Sequence, residues 1–138
     1  MQLNEVKQWF RSYMDGAVAA SMREKGLQYR IIWGVSILHL QEMAKEIGGD
    51  ADLARELWKE DCRECRILAT MIMPSKAMTP EEADSWTSTL TTKETAEWLA
   101  FNLIRHLPFA RQWAEKRSSS DNTLQRLCAE YVLARVNR

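Results

Sequence analysis

The stretch GVSILHLQEMAKEIGGDADLARELWKEDCRECRILATMIM, residues 34–73, decides the fold. Ser36 is placed to cap a helix, and Ile37, Leu40, Met43, Ala44 and Ile47 follow at three- and four-residue spacing on one face. Gly48-Gly49 stops that helix. Asp50 or Asp52 opens a second one, with Leu53, Ala54, Leu57 and Trp58 turned inward. A third runs from about Cys62 to Met73, where Pro74 follows. Three consecutive amphipathic helices leave no room for a strand.

The same period extends in both directions. Upstream, Leu3, Val6, Phe10, Tyr13 and Met14 form one stripe. Residues 17–25 form a short helix that Gly26 ends, and Tyr29 to Trp33 reads as a packed connector. Downstream, Thr79-Pro80-Glu81-Glu82 is a capping box with proline at the first helical position. Its helix carries Ala83, Trp86 and Leu90. Thr91 or Thr92 starts another, with Ala96, Leu99, Ala100, Leu103 and Leu107 inward. Pro108 breaks that helix and begins a short one reaching about Lys116. Ser118-Ser119-Ser120-Asp121 is a loop that caps a last helix bearing Leu124, Leu127, Cys128, Val132 and Leu133. The expectation is an all-α chain of about nine short helices, successive ones antiparallel.

Composition agrees. The 138 residues contain only five Gly and three Pro, with 46% apolar and 28% charged side chains. That length favours one domain, residues 1–138. Formal net charge is zero, yet residues 1–100 carry net −4 and residues 101–138 net +4. The basic end reads either as a phosphate-binding surface or as a solvated helix face. Three cysteines, an odd number, argue against a disulfide framework. No apolar leader or run of about 18 apolar residues is present, so a cytoplasmic protein with no membrane partner is expected.

The chemistry-bearing constellations are few. Cys62-x-x-Cys65 has no second ligand pair for zinc and no strand–helix context for redox work, so both thiols are expected in the core. His39 and His106 belong to no nucleophilic triad pattern. Trp58 and Trp86 fall in core stripes, whereas Trp98 falls outside its neighbours' stripe and could face a groove. No Gly-rich phosphate loop or metalloprotease pattern appears. No cofactor and no metal are expected.

Taken together, the motifs resemble those of the HEAT-like DNA alkylation-repair glycosylases, the AlkD-like proteins. Typical members read G-V-S-x-x-x-L-x-x-L-A-K-E-I, then L-A-x-x-L-W, then E-A-R-L-L-A. Here Gly34, Val35, Ser36, Leu40, Ala44, Lys45, Glu46 and Ile47 hold the first register. Leu53, Ala54, Leu57 and Trp58 hold the second, and Glu64, Arg66, Leu68 and Ala69 the third. Further on, Ala83-Asp84-Ser85-Trp86 matches M-D-x-W, and Asn102-Leu103-Ile104 with Leu107-Pro108-Phe109-Ala110 matches N-L-F…T-P-F-A. The resemblance implies a HEAT-like α-solenoid, whose stacked helix pairs curve around a concave face.

It also implies a substrate, DNA, and a reaction, excision of N-alkylated purines. In the family's F-x-x-W-x-x-x-D the aspartate is catalytic and the tryptophan lines the lesion cleft. Leu90, Lys93 and Glu97 stand at those three positions here. Glu97 is therefore the expected catalytic carboxylate, one methylene longer than the family's. Arg126 corresponds to a cleft arginine. Lys93, Arg105, Arg111, Arg117 and Arg126 are the candidate DNA-binding cations. Family members continue past the point where this chain stops, at Arg138, which predicts less surface for a duplex and a last helix pair open to a second copy or a partner protein. The expected function is DNA binding with weak excision at most; the alternative is a catalytically inactive HEAT-like binding or scaffold module for protein or nucleic acid.

Overall fold

The computed structural model describes residues 1–136, and among them every regular element is helical. The chain forms two compact units, residues 1–73 and 74–138.

The first unit contains α1 (Leu3–Tyr13), α2 (Gly16–Glu24), α3 (Ile37–Ile47), α4 (Ala51–Trp58) and α5 (Arg63–Ile72). Side-chain caps set the starts: Asp15, Ser36 and Asp50 each accept a backbone N–H of the first turn, as short polar side chains do there. Asp50, rather than Asp52, is the cap of α4. Gly48 ends α3 at φ +75°, a conformation that costs glycine little. The α5 helix packs on both α3 and α4, which explains its unbroken burial from Arg63 to Cys65 and Ile67 to Thr70. Tyr29 and Ile32 of the connector are buried against Ala19, and Ile31 makes a single bridge to Cys62.

A buried carboxylate holds this unit's signature motifs together. Glu64 Oε1 accepts the Trp33 N–H at 2.8 Å, and Oε2 accepts those of Gly34 and Val35 at 3.1 and 3.4 Å. Arg63 Nη1 donates to the same Oε2 at 2.8 Å and to the Val35 carbonyl at 3.1 Å. Both side chains are essentially solvent-free, so the pair must be satisfied internally. Gly34 adopts φ +78°, and a Cβ there would collide with the Asp15 carbonyl oxygen. Only glycine meets both conditions.

The second unit contains α6 (Pro80–Ser88), α7 (Lys93–Asn102), α8 (Ala110–Arg117) and α9 (Thr123–Val136), with 3-10 turns at Ser75–Ala77 and Ile104–His106. Thr79 and Thr92 cap α6 and α7. The α7 helix ends before the expected break at Pro108: Leu103 turns out of helical geometry. Asn122, not the serine run, caps the last helix by accepting the Gln125 N–H at 3.0 Å. Ser120 instead donates to the Gln125 side chain. The α6, α7 and α8 helices all pack on α9, so α9 is the centre of this unit.

Candidate nucleic-acid interface

Lys93, Glu97 and Phe101 recur every four residues along α7 and are exposed, and Arg105 follows at the same interval. Side chains so spaced share one helix face. Packing of α7 on α9 brings two α9 residues to this face, Tyr131 and Arg135. Arg135 Nη2 stands 4.0 Å from Glu97 Oε1, the carboxylate remaining 57% exposed. The Arg135 guanidinium lies 5.4 Å from the Phe101 ring and 5.9 Å from that of Tyr131. The Arg105 guanidinium lies 4.2 Å over Phe101. Trp98 meets Phe101 edge-on, with centroids 6.1 Å apart. Phe101, Arg105, Ala134 and Arg135 line a half-open cavity of about 240 Å³.

Backbone ties orient both guanidiniums. Arg105 Nε donates to the Phe101 carbonyl at 2.7 Å, and Arg135 Nη1 to the Tyr131 carbonyl at 3.1 Å. Each keeps further N–H donors. Two guanidiniums against one carboxylate make the cluster cationic, and the last turn of a helix favours cations.

The other sequence-selected cations stand apart from Glu97 in role. Arg111 Nη2 donates to the Val136 carbonyl at 3.2 Å while its side chain stays exposed. Arg117 grips Asp84 with both arms of its fork, Nε to Oδ1 at 2.7 Å and Nη2 to Oδ2 at 2.5 Å, and Trp113 Nε1 donates to Asp84 Oδ1 at 2.9 Å. The Arg117 guanidinium, helped by Trp113, holds the Asp84 carboxyl below the usual carboxylate range. Arg126 Nη1 donates to the Ser120 carbonyl at 2.9 Å, at the start of α9. Nine residues, or roughly 13 Å of helical rise, separate it from Arg135, the arginine beside Glu97.

Sequence reading named Lys93, Glu97 and Arg105 on this face but missed Phe101, Tyr131 and Arg135. The four-residue recurrence after Glu97 marks Phe101. Nothing local marks Arg135, because three helices pack on α9 and leave its apolar pattern without a clear polar side.

The thiols lie elsewhere. Cys62, Cys65 and Cys128 are free and buried. Cys62 caps α5, its sulfur accepting the Cys65 N–H at 3.4 Å. The neighbouring Cys62 sulfur and burial push the Cys65 thiol up, and burial pushes Cys128 up to about 12. His39 stacks on Tyr13 at 4.0 Å. Among the described residues no helix is long and apolar enough to cross a membrane.

The chain is thus all-helical among its described residues and carries a cationic, aromatic-bearing face on its second unit. Residues 6–136 match the model of the DNA alkylation repair enzyme family, and the chain belongs to that family. Among solved structures, it superposes with a TM-score of 0.90 on a protein from a family described as related to the HEAT-like repeat DNA glycosylases, with affinity for branched DNA structures. The two share 20% sequence identity, and the alignment covers 100% of this chain and 59% of the other. The fold is thus all-α and HEAT-like. This chain spans 59% of that relative's length. No curated protein matches it.

Proposed function

We propose that this chain binds DNA through the arginine-bearing face of its second unit and releases N-alkylated purines weakly at most. The observation that carries the reading is Glu97. It stands at the position of the family's catalytic carboxylate, exposed on α7 beside an arginine. An N-alkylated purine is cationic, and its departure leaves positive charge on the sugar. A carboxylate stabilises that charge. Here Arg135 draws on the same carboxylate, and Lys93, one turn earlier, adds positive charge where the family has an aromatic face. Both effects oppose a cationic transition state, and a carboxylate displaced by a methylene loses positioning besides.

The family match spans both units, which supports treating residues 1–138 as one functional domain. The branched-DNA affinity described for the structural relative supports DNA, rather than protein, as the partner. Lys93 favours the second reading, a HEAT-like binding module without catalysis.

Base release from methylated duplex separates the two. Slow release that Glu97→Gln abolishes and Lys93→Trp raises is the expected result. Robust release unchanged in Glu97→Gln would place the chemistry at other residues. Binding should weaken steeply with salt, since Lys and Arg contacts to phosphates release counterions.

A further inference from the structure

Phe101 is a large aromatic, 39% exposed, on a face that also carries Lys93, Glu97, Arg105 and Arg135. Soluble proteins do leave single apolar residues exposed, but this one has Arg105 stacked at 4.2 Å and Arg135 at 5.4 Å. Like charges gathered around one ring repel each other, and Glu97 meets one of them, Arg135, at 4.0 Å. An anion would relieve that repulsion. The adjoining cavity of about 240 Å³ is smaller than the roughly 300–1,000 Å³ typical of drug-sized ligands, so it suits a single planar ring system.

We propose that Phe101, Arg105 and Arg135 form a binding site for one unpaired DNA base and its adjoining phosphate. The base stacks on the Phe101–Arg105 pair. The guanidinium donors not engaged by the Phe101 and Tyr131 carbonyls take the phosphate. Aromatic rings and guanidinium planes both stack on bases of any sequence. In a continuous duplex the faces of each base are covered by its neighbours, and so closed to this platform. The site therefore selects DNA with unpaired nucleotides over fully paired DNA. This inference rests on the DNA-binding reading above and adds a substrate class and three residues to it.

The test is fluorescence anisotropy with two labelled probes of the same sequence, a fully paired duplex and the same duplex with a short single-stranded gap. The wild type should bind the gapped probe on the order of tenfold more tightly, or about 1.4 kcal/mol. Phe101→Ala should bring the gapped probe's affinity down to that of the duplex and so lose the preference. Phe101→Leu, which keeps apolar bulk without a π-face, should behave as Phe101→Ala does and guards against a folding defect. Phe101→Trp should retain the preference. Arg135→Gln should weaken both probes and lower the salt slope by about one. Duplex binding with no preference for the gap, or a preference that survives in Phe101→Leu, overturns the site and leaves the DNA-binding reading standing. No binding to either probe overturns both.

Discussion

Replacing Glu64 by glutamine keeps the shape of the side chain and removes its charge. In the native chain the two carboxylate oxygens together accept three backbone N–H groups and one guanidinium N–H, all within 2.8–3.4 Å. Glutamine can present its oxygen on one side only. Placed at Oε2, that oxygen keeps Gly34, Val35 and Arg63, but turns an NH₂ group against the Trp33 N–H. Placed at Oε1, it keeps Trp33 and sets donor against donor at the other three. In either case the Arg63 guanidinium, 3% exposed, stays buried beside a neutral amide. Removing one partner of a buried ion pair costs about 3–5 kcal/mol, a large part of the roughly 5–15 kcal/mol that holds a domain folded. Urea denaturation of Glu64→Gln should show that loss as a lowered midpoint. Thermal melting should fall on the order of 10–20 °C for a chain of this size. Adding Arg63→Met removes the buried charge as well, so the double variant should be less destabilised than the sum of the two single changes. A loss under about 1 kcal/mol in Glu64→Gln, in the range of a single neutral hydrogen bond, would refute this account of the carboxylate.

Gly34→Ala should destabilise by at least about 2 kcal/mol, from a strained positive φ and a clash with the Asp15 carbonyl, read in the same urea titration. Asp84, whose carboxyl is held low by Arg117 and then Trp113, contributes stability above the unfolded carboxylate pKa of about 3.9 and loses it as pH falls through the lower folded value. Asp84→Asn should therefore lower the unfolding free energy from urea titration at neutral pH by about 1–2 kcal/mol, allowing for partial exposure, and narrow the gap to wild type at about pH 3; an equal gap at both pH values would refute it. Cys65 and Cys128, buried with raised thiol pKa values, should resist a thiolate-directed reagent at about pH 8 until denaturant is added; stoichiometric labelling of either in the native protein would show the core to be open.

By itself the sequence determined the all-α class, the order of the helices and most of their starts. Those features are written in local chemistry. Ser36, Asp50, Thr79 and Thr92 each satisfy an N–H three residues on, and a repeated apolar spacing defines the face to be buried. The family signature was equally legible, and the structure supplies its physical reason. Gly34 and Glu64 are 30 positions apart, yet the glycine is needed for a close backbone approach and the glutamate for the amides beside it. Tertiary structure alone decided what Glu97 meets. Arg126, which corresponds by family register to a cleft arginine, donates to the Ser120 carbonyl at the start of α9, and Arg135 is the arginine that stands beside the carboxylate. The pairing of α7 with α9, and so the gathering of Phe101, Arg105 and Arg135, follows from long-range packing on a helix surrounded by three others. Such a helix is apolar on several sides, and its periodicity no longer tells which side a charged residue will face.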